Sequence, residues 1–203
     1  MTDSKTLVEQ AKALLEKENY DEAYRLLLEA ALMDENGEAM AALGQMYYDG
    51  DGVRADYDKA GKMFGLAFEN GTVEETWHLV IAGSCYEEKA KTRPEEIDMA
   101  IRCYKAAADR GLGYGYECLA ELYLNRGDYE WAYECLTRPK KLNSTGLYLL
   151  GKMYEEGLYV EKDIEKSIDY YVKAVDFYID YEDDYGHDKY CDMSKVRLKA
   201  LGS

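Results

Sequence analysis

Two histidines and five cysteines are the scarce chemistry-bearing residues of this 203-residue chain. His187 and Cys191 stand four apart, beside Asp183, Asp184 and Asp188. Positions i and i+4 share one face of a helix, so this spacing admits a zinc or nickel site. The density of carboxylates favours a plainer reading, a solvated acidic loop, and no metal ligand is assigned. The same run is not a calcium loop: counting from Asp180, Tyr185 stands where the sharp turn needs glycine, and Cys191 where a glutamate should close the shell. Asp49-Gly50-Asp51-Gly52 has calcium-like alternation, but it falls where a helical repeat needs a glycine turn. His78 follows Trp77 inside a helical pattern and reads as a packed or surface histidine. No Gly-x-Ser-x-Gly, phosphate loop or His-Glu-x-x-His is present. No catalytic residue, cofactor or metal is therefore expected, and the chain reads as a non-enzyme.

The elements around these residues are helical. Only Pro94 and Pro139 interrupt the chain, and tyrosine is abundant, with 21 copies against 3 phenylalanines and 2 tryptophans. Cys85, Cys103, Cys118, Cys135 and Cys191 are odd in number and form no Cys-x-x-Cys pair. The first four lie in helical patterns, where a thiol packs as a small apolar group, so reduced thiols in a cytoplasmic protein are expected. The formal net charge is −16 and the isoelectric point about 4.6. That balance argues against non-specific affinity for nucleic acid or anionic lipid. No window approaches the roughly 18 uninterrupted apolar residues of a membrane span. MTDSKTLVEQAKALLEKENY reads as an amphipathic helix and not as a secretory signal.

One line is written twice. LGQMYYDGDGVRADYDKA at residues 43–60 returns as LGKMYEEGLYVEKDIEKS at 150–167, an offset of 107 residues, or about three units of a roughly 36-residue repeat. Ala39, Ala42, Leu43, Met46 and Tyr47 share a helical face, Gly50 and Gly52 break the helix, and Val53 fills the gap in the loop. Ala60, Met63, Phe64 and Ala67 mark the partner helix. A second phrase also recurs: NYDEAYRLL near residue 20 matches DYEWAYECL near residue 129. Gly44, Gly83 and Gly151, with Ala120, sit at one repeat position, the eighth. Small residues there let neighbouring helices approach, with tyrosines filling the space between them. The units run approximately over 4–36, 38–71, 74–111, 114–142 and 144–179. An acidic segment and an amphipathic cap follow at 180–203.

The pattern Ala-x-x-x-Leu-Gly-x-x-Tyr-x-x-Gly-x-Gly-Val, then Asp-x-x-Lys-Ala and a closing glycine, resembles the Sel1-like repeat, a relative of the tetratricopeptide repeat. Residues 39–71 match it well. Residues 146–174 match apart from Tyr159 at the second loop glycine and Ser167 at the alanine. Residues 74–111 are degenerate, and the first and fourth units, with their shorter turns, are similar to tetratricopeptide repeats. The resemblance implies an all-α, right-handed α-solenoid of about five antiparallel helix pairs with a C-terminal capping helix, forming a single repeat domain.

The resemblance also implies that the first helix of each pair lines a concave face. Positions two, five, nine and twelve of the repeat then give candidate partner-binding residues: Gln45, Tyr48, Trp77, Ser84, Glu87, Tyr114, Glu117, Glu121, Tyr148, Lys152 and Glu155. This mix of aromatics and carboxylates suits a protein or peptide with basic and large apolar or aromatic groups. Lys12 and Lys152 alone do not make the basic clamp by which some tetratricopeptide relatives hold acidic peptide termini. The expected function is a non-catalytic scaffold or adaptor. An acidic decoy of a nucleic-acid-binding protein is the alternative. A penicillin-interacting hydrolase is a further one, opposed by cysteines that do not recur once per repeat.

Overall fold

The computed structural model describes residues 3–72, 75–185 and 188–202, with side chains throughout these except at 178–185. Among the described residues every regular element is a helix, as the repeat pattern requires. The helices group into two compact units, Met1–Arg110 and Gly111–Ser203.

The N-terminal unit holds α1 (Ser4–Leu15), α2 (Tyr20–Asp34), α3 (Gly37–Asp49), α4 (Tyr57–Glu69), α5 (Thr76–Ala90) and α6 (Ile97–Asp109), with a 3-10 turn at Pro94–Glu96 before α6. Side chains set the helix starts. Asp3, Asn36 and Asp56 accept the backbone N–H groups of Thr6, Ala39 and Lys59 at 2.8, 3.0 and 3.0 Å, satisfying donors that the first helical turn leaves free. Gly50 ends α3 in the left-handed conformation, φ +82°, with its N–H on the Met46 carbonyl. Ala11, Ala23, Ala30 and Ala39 are fully buried with Leu27, Leu43 and Met46. Alanine at these points brings helix backbones close enough for the larger residues to interdigitate. Val53 packs against this cluster from the loop.

The C-terminal unit holds α7 (Gly113–Arg126), α8 (Tyr129–Thr137), α9 (Ser144–Glu156), α10 (Ile164–Tyr185) and α11 (Lys189–Leu201). The repeated line builds the same loop in both units. The Asp56 N–H reaches the Tyr47 carbonyl at 2.8 Å, and the Asp163 N–H reaches that of Tyr154 at 2.9 Å. Asp163 then caps α10 through the Lys166 N–H at 2.9 Å, as Asp56 caps α4. Tyr159, at the second loop-glycine position, takes φ +62° although it carries a side chain; its counterpart Gly52 takes +66°. The register of the loop thus outweighs the residue's own preference, a cost of about 1–2 kcal/mol. The Tyr159 hydroxyl donates to Glu130 at 3.0 Å, a contact that offsets part of it.

The eighth-position glycines are seats for aromatic rings. A Cβ on Gly44 would stand 2.7 Å from the Phe64 ring, on Gly83 2.5 Å from Tyr104, and on Gly151 2.6 Å from Tyr171. Phe64, Tyr104 and Tyr171 are all buried. Where the ring carries a hydroxyl, the first helix supplies an acceptor one turn further on. Tyr104 donates to Glu87 at 2.9 Å and Tyr171 to Glu155 at 2.7 Å. Phe64 has no hydroxyl, and the matching position in α3 is Tyr48, which is free to face outward and is 40% exposed.

Replacing Gly44 by Ala should cost about 1–3 kcal/mol through overpacking against Phe64. Combining Gly44→Ala with Phe64→Leu should cost less than the sum of the two single losses, because the smaller side chain vacates the clash. Denaturant unfolding of the full chain measures both, and strictly additive losses would show that this glycine is not a ring seat.

Candidate partner-docking site

In the N-terminal unit, α3, the start of α4, and α5 enclose an open cavity of about 890 Å³. Its lining includes four of the residues expected at the concave face: Gln45 and Tyr48 from α3, and Trp77 and Ser84 from α5. Tyr57 and Asp58 from the first turn of α4 join them, with His78, Cys85 and Glu88 from α5. Tyr48, Tyr57 and Trp77 are 40%, 65% and 52% exposed, a concentration of large aromatic surface that the fold itself does not cover.

The cavity floor is tied down. His78 stacks on the buried Phe64 ring, centroids 3.9 Å apart and planes 8° from parallel. Its Nε2 lies 2.7 Å from Gln45 Oε1, which makes it the donor and places the proton on that nitrogen. Gln45 in turn donates to Asp49 at 2.5 Å. Burial holds the His78 pKa below the usual imidazole value, against the opposing pull of Glu75 and Asp49, so the ring is neutral at pH 7. Tyr48 and Tyr57 meet edge to face, centroids 5.4 Å apart at 72°. The Cys85 thiol donates weakly to the Asp58 carbonyl at 3.7 Å, and burial raises its pKa, which favours the thiol form over the thiolate.

The remaining candidates divide by burial. Glu87 is half-buried and receives the Tyr104 hydroxyl. Tyr114, Glu121 and Lys152 are half-buried. Three expectations are corrected. Glu117, Tyr148 and Glu155 are only 2%, 7% and 8% exposed and cannot present a groove surface in this conformation. Glu155 is taken up inside the unit: it accepts from Tyr171, and from Arg197 of α11 through Nε at 3.0 Å and through Nη2. Tyr148 packs between Tyr171 and Tyr190, ring centroids 5.6 Å from each. Helix α11 thus covers the side of α9 that the repeat pattern assigns to partners, and its Lys189 lies 3.9 Å from Glu121.

Glu117 has a different role. Its Oε1 accepts the Asn143 N–H at 3.0 Å, just before α9, while Oε2 is buried without a hydrogen-bond partner among the described residues. Burial pushes its pKa up to about 7, outweighing the Asn143 and Gly146 amides that favour the anion; the Asp188 charge adds to the upward push. Asp188 itself accepts the Tyr190 and Cys191 N–H groups at the start of α11 and also the Ser144 hydroxyl. Of the conceivable metal pair, Cys191 is fully buried and Asp188 caps α11, while His187 and the side chains of Asp183 and Asp184 lie outside the described residues.

Sequence reasoning confined to repeat positions two, five, nine and twelve missed His78, Cys85 and Glu88 of α5, and Tyr57 and Asp58 stand on α4, a second helix. One signal was available for Tyr57: a large aromatic directly after the capping Asp56, on a turn that needs no core residue.

A folded-state pKa near 7 for Glu117, above the ordinary 4.5 of the unfolded chain, means that the folded state retains the proton longer. Stability from this group is full below pH 4.5 and is lost as pH rises through 7. Glu117→Gln, which mimics the protonated form, should be near-neutral at pH 5. At pH 8 it should stabilise by about 1–3 kcal/mol. Chemical denaturation at the two pH values tests this, and equal effects at both would exclude a raised pKa.

Comparisons with known proteins follow the same lines. The Sel1 repeat model matches residues 12–35, 37–72, 83–112 and 144–176, together more than half of the chain. A protective antigen of uropathogenic Escherichia coli displaying an SLR fold is 19% identical, with a TM-score of 0.51; the match covers 98% of this chain and 46% of the antigen. This chain therefore spans about half the length of that protein. The C-terminal part of a TPR repeat-containing protein from Cytophaga hutchinsonii is 21% identical, with a TM-score of 0.53 and coverage of 96% and 78%. A Sel1 repeat protein from Oxalobacter formigenes is 19% identical, with a TM-score of 0.46 and coverage of 97% and 85%. At these identities the first two likenesses are of fold.

Proposed function

Because this chain belongs to the Sel1 repeat family, whose members are generally protein-interaction scaffolds and typically non-catalytic, we propose that it is an adaptor that docks a segment of a partner protein in the cavity of its N-terminal unit. The observation that carries this reading is the coincidence of Gln45, Tyr48, Trp77 and Ser84, expected at the concave face, with an open cavity walled by exposed aromatics. Exposed rings offer large contact area at low entropic cost. The C-terminal unit offers no equivalent opening at Tyr148 and Glu155, which α11 covers.

The partner segment is basic and carries a large apolar or aromatic anchor. Asp58 and Glu88 on the cavity lining and a net charge of −16 on the chain favour such a segment over an acidic one. The reading also includes a cytoplasmic setting, consistent with five free thiols.

Trp77 and Trp131 make a matched test, since both are more than half exposed and they lie in different units. Partners captured from the native cell by the unmodified chain should be retained by Trp131→Ala and lost from Trp77→Ala. With a purified partner, Trp77→Ala should weaken binding by about 2 kcal/mol or more. Equal retention by both variants would place the docking surface elsewhere.

A further inference from the structure

Helix α11 is chemically unlike the chain it closes. It carries Lys189, Lys195, Arg197 and Lys199 against one acidic residue, Asp192, in a chain whose formal net charge is −16. It also buries little. Two of its 13 residues, Cys191 and Ser194, are buried, against ten of 13 in α9. Met193, Leu198 and Leu201 are half-buried, and Val196 is 66% exposed. Apolar burial therefore contributes less to the hold on α11 than to that on the helix beneath it.

What holds α11 is side-chain pairing in one register. Asp188, at its start, accepts the Ser144 hydroxyl. The Tyr190 ring contacts the Tyr148 ring, centroids 5.6 Å apart, and Arg197 pairs with Glu155. Tyr148 and Glu155 stand seven residues apart in α9, as Tyr190 and Arg197 do in α11. Matched order and spacing, two helical turns, mean that the two helices run parallel along this contact. Lys189 adds an attraction to Glu121 at 3.9 Å. Between the two anchors the buried face of α11 is small, since Cys191 and Ser194 come one and four residues after Tyr190. A helix held by a few such pairs opens locally at lower cost than one with a large buried face.

We propose that the α9 face beneath α11 is a second docking surface, that α11 is its internal occupant, and that a basic helix of a partner protein displaces α11 from it. The partner helix carries an aromatic residue, small residues one and four positions further on, and an arginine seven positions further on, the pattern that α11 itself displays. Such a helix engages through one face, with anchors at i and i+7. The surface belongs to the C-terminal unit, and the proposal does not require the N-terminal cavity to bind anything.

The test uses the full chain with two readouts, amide hydrogen exchange and binding of a fluorescent peptide of residues 188–202. In the unmodified chain the α11 amides should exchange about tenfold or more faster than those of α9, through local opening. Arg197→Ala, at a side chain 41% exposed, removes the charged pair that holds the internal copy. It should raise the affinity of the chain for the peptide by about tenfold or more. Arg197→Lys keeps the charge without the two-armed geometry. It should act in the same direction to a smaller extent, and it replaces the alanine variant if that variant loses helicity. The peptide carrying Arg197→Ala should bind the loosened chain about tenfold more weakly than the native peptide. A scrambled peptide of the same charge should not bind, and Trp77→Ala should change none of this.

Exchange of α11 in step with α9, no gain in peptide affinity when Arg197 is replaced, or equal binding of the scrambled peptide would each overturn the proposal. Dimerisation of the Arg197 variants without peptide binding would assign the face to a second copy of the chain and would overturn it as well. Loss of peptide binding in Trp77→Ala would move the peptide to the N-terminal cavity, so the docking reading would stand and this inference would fall. Intact peptide binding together with partner capture that ignores Trp77→Ala would leave this surface standing and remove the docking reading.

Discussion

The structure depends on the seating of one aromatic ring against one glycine in three of the helix pairs. Phe64 on Gly44, Tyr104 on Gly83 and Tyr171 on Gly151 occupy space that any Cβ would fill. That contact fixes how far the two helices of a pair stand apart, and so where every other residue on the first helix points. The hydroxyl on two of the rings adds a condition. A buried phenol without a partner is costly, so Glu87 and Glu155 are drawn inward to accept from it. Only the Phe64 pair lacks this demand, and there the twelfth position carries the outward-facing Tyr48. The ring's chemistry on the second helix of a pair thus goes with the twelfth position of the first: a carboxylate turned to its own core, or an exposed aromatic.

The fold was legible because the constraints are local and repeated. The recurring line placed Gly44 and Gly151 at close approaches, and Gly50 and Gly157 at helix ends, where they take φ of +82° and +72°. The candidate site was legible in part. Gln45, Tyr48, Trp77 and Ser84 reach one cavity, but Glu117, Tyr148 and Glu155 are buried. Nothing in their own spacing distinguishes Glu155 from an exposed glutamate. Its burial follows from two residues far along the chain, Tyr171 and Arg197, that converge on it only in three dimensions. Glu117 follows the same rule, because its partner is the backbone of Asn143, 26 residues on. Tyr57 and Asp58 escaped because they belong to a second helix, and only its capped first turn brings them beside Tyr48.

The two units therefore use one repeat for different ends. In the N-terminal unit the Phe64 seat leaves an aromatic corner open beside acidic groups. In the C-terminal unit α11 lays Tyr190 on Tyr148 and Arg197 on Glu155, so an aromatic and a cation of the chain itself occupy the expected partner face. This internal pairing joins an aromatic contact to an ion pair. It also explains why the cap is more than an apolar plug: its contacts with α9 include a two-armed ion pair that places Arg197 specifically.

The central claim is that the twelfth-position carboxylate serves the ring of its own repeat and not a partner. A double-mutant cycle with Glu87→Gln and Tyr104→Phe, measured by denaturant unfolding of the full chain, tests it most directly. The account predicts a coupling of about 1 kcal/mol or more between the two residues, as for a partly buried hydrogen bond to a charged group. Additive effects, with Glu87→Gln alone leaving stability unchanged, would contradict it and return Glu87 to the set of partner-binding residues.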